Sequence, residues 1–148
     1  MIHYKSARWY KCDFHLHTPA SLCFKDKTIT PEQWINRVKE LHLDCVAVTD
    51  HNTGEWIDKV KPIAQAEGIV LFPGVEITCD TSKIHLLILF DKDKGTQDVN
   101  DFLIRCGINR EDFAKAEAHS MKTVLDIAEM ANADNAIVIP AHIDEYNG

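Results

Sequence analysis

No stretch of this sequence is apolar for long enough to cross a bilayer. The longest such run, Ile84 to Phe90, falls far short of the ~20 residues a spanning helix needs. Paired cysteines are also lacking. The five cysteines (Cys12, Cys23, Cys45, Cys79, Cys106) are odd in number, widely spaced and contain no Cys-x-x-Cys. Neither a zinc ribbon nor a thioredoxin-type motif is supported, and reduced thiols are expected. Positive charge is short as well, with 16 Lys and Arg against 23 Asp and Glu, for a formal net charge of −7. That argues against clinging to nucleic acid through net charge. A nucleotide substrate stays open, because bound divalent ions invert the local field. No repeat or low-complexity segment stands out. The opening Met1-Ile2-His3-Tyr4-Lys5 lacks the apolar core of a signal peptide, so a cytoplasmic protein is expected. At 148 residues, one domain spanning 1–148 with a real core is expected.

Strands and helices alternate in the pattern. Cys12 to His17 reads as a first strand. Thr30-Pro31-Glu32-Gln33 combines an N-cap, a proline at N1 and a capping-box partner. Trp34, Val38 and Leu41 follow at helical spacing, and Trp34 is expected in the core. Leu43 to Thr49 predicts a second strand, and Glu55 to Glu67 a helix closed by Gly68. Ile69 to Phe72 opens a third strand that continues through Val75-Glu76-Ile77. Too few residues separate it from Ile84–Phe90 for a parallel crossover, so an antiparallel pair with a turn near Asp80-Thr81-Ser82 is predicted. That turn brings Glu76 close to His85. Helices at Gly95–Cys106 and Ser120–Ala131, and a strand at Ala136–Ala141, complete the pattern.

The polar residues at the strand ends carry the chemistry. His15 and His17 share one face of a strand, ~6–7 Å apart, within reach of a single ion. Such a pair alone is weak. It gains weight from Asp50-His51, Glu76, His85 and His142, each at the edge of an apolar, strand-like run. Glu76 lies in Gly74-Val75-Glu76-Ile77-Thr78, where a carboxylate is costly without a partner. Taken singly, Asp50 or Asn52 also reads as a cap for the following helix, His51 as part of that capping turn, and His85 as an ordinary strand histidine. His3, His42 and His119 sit in surface contexts. Imidazole and carboxylate suit Zn²⁺, Mn²⁺ and Fe²⁺, and the two oxygens of Glu76 could bridge a pair of ions that activates water on a phosphoester. Polar strand ends of this kind are the layout of an α/β barrel, whose loops build a site at one face. A full barrel needs roughly 200 residues or more. The chain is therefore expected to be part of a longer protein, or to complete itself with another copy through an open sheet edge.

Five segments, in this order, resemble the metal-binding motifs of the polymerase and histidinol phosphatase (PHP) family. They are Asp13-Phe14-His15-Leu16-His17-Thr18, Thr49-Asp50-His51-Asn52, Gly74-Val75-Glu76-Ile77-Thr78, His85-Leu86-Leu87 and Pro140-Ala141-His142. The resemblance implies an α/β fold, a distorted seven-stranded barrel of which about five strands are present here. It implies two or three divalent ions, zinc or manganese with iron as the alternative. It also implies hydrolysis of a small phosphorylated substrate or nucleotide by water activated at those ions. Motif by motif, His15 and His17 resemble ligands of one ion, Glu76 the carboxylate bridging to a second, and His85 and His142 that second ion's histidines. His51 resembles a ligand of a third ion. Asp50, the candidate catalytic carboxylate, resembles an outer partner that orients His51. Thr18-Pro19-Ala20-Ser21 is similar to PHP domains that precede ATPase-type domains, which implies such a domain beyond this chain.

Two departures stand out. Where the family often places His or Asp after the first motif, this sequence has Leu22 and Cys23. Leucine cannot bind an ion; a Cys23 thiolate could, favouring zinc. The family's closing Asp-x-His is absent, since Asp144 is followed by no histidine. This chain would then hold the second ion best, the first with an open position, and the third hardly at all. Lys25 and Lys27 follow the first motif and could meet a substrate phosphate, but are read first as solvated loop lysines. Cys106 to Arg110 is too short a gap for a cysteine phosphatase loop. Two rival readings remain. One is a non-catalytic metal-binding module beside an ATPase. The other is an amidohydrolase, which would want a bridging lysine that no strand end supplies.

Overall fold

In a computed structural model, residues 7–80, 82–115 and 117–143 are described. His3, Thr81, Asp144 and the terminal Tyr146-Asn147-Gly148 lie outside them. The elements run β1 (Cys12–Leu16), α1 (Pro31–Glu40), β2 (Cys45–Val48), α2 (Ile57–Ala66), β3 (Val70–Thr78), β4 (His85–Leu89), α3 (Thr96–Arg105), a short 3-10 turn (Arg110–Asp112), α4 (Val124–Ala133) and β5 (Ile137–Pro140). The strands form one sheet in sequence order, β1-β2-β3-β4-β5, curled into a half-barrel. β1, β2 and β3 are parallel, while β4 is antiparallel to both β3 and β5. The antiparallel β3–β4 pair expected from the short connection is present.

Local chemistry sets most boundaries. The capping box at Thr30 forms, with Gln33 N–H donating to Thr30 Oγ1 at 3.3 Å and Thr30 N–H to Gln33 Oε1 at 2.8 Å. α1 then buries Trp34, Ile35 and Val38. Gly68 ends α2 with φ +72°, a conformation in which a side chain would be strained. Two expectations shift. Neither Asp50 nor Asn52 caps a helix. α2 starts later, after Trp56, without a side-chain cap, because Asp50 and Asn52 are engaged elsewhere. α4 starts at Val124 instead of Ser120, where Thr123 and Asp126 form their own capping box. Ser120 is tied down separately, its hydroxyl donating to the Cys106 carbonyl and its N–H to the Thr78 carbonyl.

Strand alternation divides the sheet into two faces. Val46, Val48, Val75, Ile77, Leu86 and Ile88 pack against the helices with Ile35, Val60, Phe102 and Ile127 in the core. The opposite, concave face carries Glu76 beside its cross-strand partner Leu87. An irregularity in β1 sets the site. Asp13 pairs with Val46 and Leu16 with Val48, so three steps of β1 oppose two of β2. The extra residue lets both Phe14 and His15 face inward. Phe14 packs edge-on against Phe72 at 6.1 Å, and His15 meets Glu76. Bulges re-aim side chains in this way.

Candidate metal centre

Glu76 is 0 % exposed, and five imidazoles from four separate segments close around it. Its Oε2 lies 2.9 Å from His15 Nε2, 3.3 Å from His17 Nε2 and 3.5 Å from His51 Nδ1. Its Oε1 lies 2.7 Å from His85 Nδ1 and 3.3 Å from His142 Nε2. The rings also neighbour one another in a closed circuit. Centroid separations run 5.2 Å for His15–His17, 4.8 Å for His17–His51, 5.4 Å for His51–His85, 6.0 Å for His85–His142 and 4.9 Å for His142–His15.

Each member is placed by its backbone. His15 and His17 flank Leu16 on β1, which faces the core side. His51 follows β2, where the chain keeps pairing with β3: Glu76 N–H donates to the Asp50 carbonyl at 3.1 Å and Asn52 N–H to the Glu76 carbonyl at 3.0 Å. His85 opens β4 opposite Thr78. His142 sits just past β5 with φ +54°, turned back toward the mouth. All six residues expected at the metal centre thus converge. His42 and His119 stay outside it.

The electrostatics follow from burial. Burial alone would raise the carboxyl of Glu76, but hydrogen bonds from His15 and His85, with the other imidazoles near, hold it well below the usual range. The same hydrogen bond raises His15. Burial, reinforced by neighbouring His51, lowers His17 to about 4. Burial also lowers His51. The imidazoles of His17 and His51 are therefore held neutral, the form that binds metal. His17 Nδ1 is buried with no hydrogen-bond partner among the described residues. Six donor groups crowd a volume where only one of them carries a negative charge. A tetrahedral ion with bonds of about 2.0–2.1 Å holds its donors ~3.3 Å apart, close to the 2.7 to 3.5 Å found around Glu76. The donor set fits divalent ions. His15, His17 and Glu76 form one group able to hold an ion, and His51, Glu76 and His85 another.

Asp50 differs from expectation. It is fully buried, and its oxygens accept from Thr18 N–H at 2.6 Å and from Thr18 Oγ1 at 2.5 Å. The imidazole within 4.0 Å is His17, through Nδ1, and not the His51 it was expected to orient. Thr18, two residues past the β1 strand, draws the carboxylate toward the first motif. Burial pushes Asp50 up to about 7, against the opposing hydrogen bonds from Thr18. Lys27 is also reassigned: its ammonium donates to the carbonyls of Pro19 and Ser21 and pins the loop. Cys106 is buried, and burial raises its thiol to about 12, so it offers no thiolate.

Some positioning residues escape a sequence reading. Trp34 Nε1–H donates to the His17 carbonyl at 2.9 Å, so a core residue of α1 also fixes a candidate ligand. Asn52 adopts φ +49°, tolerated by asparagine, and its side-chain amide donates to the Ala118 carbonyl at 2.9 Å. Asparagine straight after the histidine was the available signal.

The model of the PHP domain family matches residues 13–143. The chain belongs to this family. Among characterised relatives, it is 29% identical to a 5'-3' exoribonuclease of Haemophilus influenzae over 85% of this chain and 54% of that protein. It is 34% identical to the 5'-3' exoribonuclease Rnm of Escherichia coli over 51% of this chain and 26% of that protein. The chain thus spans about half the length, or less, of these relatives. Among solved structures, an amidohydrolase from Chromobacterium violaceum superposes with a TM-score of 0.63 at 15% identity, over 93% of this chain and 68% of that one. A two-domain protein from Bacteroides vulgatus, described as containing a predicted PHP-like metal-dependent phosphoesterase, gives 0.57 at 21% identity, over 87% and 34%. These likenesses establish the fold, an incomplete PHP barrel.

Proposed function

We propose that this chain carries the ion-binding mouth of a metal-dependent phosphoesterase acting on phosphomonoesters or nucleotides, including nucleic-acid 5' ends. The observation that carries the reading is the circuit of five imidazoles around one buried, ionised Glu76. Bound there, zinc, manganese or iron would polarise the phosphate and activate water. Glu76 would offer Oε2 on the side of His15, His17 and His51, and Oε1 on the side of His85 and His142. Asp50 acts through His17. With a proton on His17 Nδ1, Asp50 would hold the ring so that Nε2 keeps its lone pair toward Glu76. We assign it a positioning role in place of a catalytic one, since Thr18 occupies its oxygens. The names of the exoribonuclease relatives favour a phosphodiester end as substrate, although the net charge of −7 leaves the ions to attract it.

Elemental analysis of the purified protein tests the centre, with at least one divalent ion per chain expected. Turnover on a panel of nucleotides, 5'-phosphorylated oligonucleotides and small phosphomonoesters, with each metal supplied, tests the activity. Bound metal without turnover on any member would favour a binding module. Leu22, 54 % exposed where the family often has a ligand, supports that second reading. Absence of bound metal would overturn both.

A further inference from the structure

Cys23 stands apart from the three buried thiols. Cys45, Cys79 and Cys106 lie in the interior, where burial raises each of them to about 11 or above. Cys23 is exposed at the rim of a cavity of about 320 Å³ lined also by Leu22, His51, Asn52, Thr78 and His85. Its sulfur, a nitrogen of His17 and a nitrogen of His51 all lie within 4.8 Å of one another. Ser21 holds the arrangement in place. Its hydroxyl lies 3.3 Å from Cys23 Sγ and accepts from His51 N–H at 3.3 Å. Its carbonyl accepts from Phe24 N–H at 3.0 Å and from the Lys27 ammonium. The loop that presents the sulfur is thus tied to the segment that presents His51.

We propose that Cys23, His51 and His17 form a thiolate-bearing ion site on the outer side of the histidine circuit, selective for zinc over manganese or magnesium. The inference deepens the metal-centre reading and rests on it. A thiolate is a soft donor that favours zinc, whereas manganese and magnesium favour oxygen ligands. Binding would release the thiol proton to solvent. Three protein donors leave a fourth position facing the cavity, the arrangement of a zinc site open to water or substrate. His17 belongs both to this group and to the one with His15 and Glu76. A neutral imidazole offers one lone pair, so His17 serves only one of these groups at a time, and an ion held by Cys23 and His51 competes for it with the ion held by His15 and Glu76.

Titration of the metal-free 148-residue protein with cobalt(II) is the test, with Cys23→Ser and Cys12→Ser as paired variants. Wild type and Cys12→Ser should develop a near-ultraviolet thiolate-to-cobalt charge-transfer band that zinc displaces and excess manganese does not. Cys23→Ser should lose the band and one class of bound ion. Its zinc affinity at that site should fall by more than the roughly 10- to 100-fold that loss of an outer partner costs. Cobalt binding with no such band, and with equal stoichiometry in Cys23→Ser, would overturn this site while leaving the Glu76 centre intact. A band lost in Cys12→Ser instead would also overturn it. If wild type binds no cobalt at all, the metal centre fails and this site with it.

Discussion

Glu76 and Ile77 are neighbours on β3, both 0 % exposed, yet burial means opposite things for them. Ile77 faces the helices among Val75, Leu86 and Ile88, and its burial drives folding. Glu76 faces the concave side, where burying a carboxylate opposes folding unless partners offset it. Five imidazoles do so. One face of the sheet is built to be stable, and the other to hold charge in place for a ligand. Substitutions on the two faces should therefore separate stability from binding.

The largest effect is expected at Glu76. Glu76→Gln keeps the shape and removes the only negative charge inside the circuit. Tight divalent binding should be lost, and any phosphoester turnover should fall by more than the ~10²–10³-fold that a single electrostatic donor supplies. Elemental analysis and single-substrate kinetics read both. The thermal midpoint of the metal-free protein should move less than in Ile77→Ala. If Glu76→Gln unfolds the chain while wild type binds no metal, the concave face is structural and the contrast disappears.

Ile77→Ala is the mirror experiment. Truncating a fully buried isoleucine costs about 2–5 kcal/mol through lost transfer energy and the cavity left behind. Denaturant melts should show that loss, while the folded fraction keeps the wild-type number of ions. A fall in metal stoichiometry among folded molecules would show that the two faces are coupled.

How much of this contrast can be read without coordinates depends on which interactions are local. The five strands, the capping box at Thr30 and the antiparallel β3–β4 pair follow from periodicity and short connections, and all are present. Convergence of His15, His17, His51, Glu76, His85 and His142 was legible because each lies at the edge of an apolar, strand-like run, and strand ends of one sheet meet at one mouth. What was not legible is the long-range pairing of polar side chains. Asp50 finds Thr18, 32 residues away, and Asn52 finds Ala118, 66 away. No sequence period encodes such partners. For the same reason the capping reading of Asp50 and Asn52 failed; the later start of α4, at Val124, is by contrast set locally by the capping box of Thr123 and Asp126.

Asp50→Asn probes that hidden layer with a smaller effect. Thr18 can satisfy either side chain, so the fold should persist, but the field holding His17 weakens. Ion affinity should drop about 10–100-fold. The pH dependence has a defined sign. Folding raises the Asp50 pKa from 3.8 to about 7, so its contribution to stability is present at low pH and is lost as pH rises through 7. Asparagine has no such slope. Above pH 7, metal-free Asp50→Asn should be the more stable protein and yet the weaker metal binder. His17 acts in the opposite sense: its pKa is lowered from 6.5 to about 4, so wild type loses stability as pH falls between those values. Melts of the metal-free proteins across pH 4 to 8 would resolve the two slopes. Equal slopes in wild type and Asp50→Asn would show that Asp50 stays ionised throughout.

The smallest effect tests the link between the faces themselves. Trp34 is buried in the core, yet its Nε1–H reaches across to the His17 carbonyl. Trp34→Phe removes that donor and part of the ring while keeping an aromatic in place. The lost hydrogen bond alone is worth about 0.5–1.5 kcal/mol, and the smaller ring adds a packing loss well below that of truncation to alanine. If the indole only fills the core, stability should drop with no change in ion affinity. If it also sets the position of His17, affinity for the ion nearest His15 and His17 should weaken several-fold while that on the His85 side holds. Competition titrations with a chelating dye would separate the two classes of ion. Equal weakening of both would mean that the fold carries the signal, and not the single bond to His17.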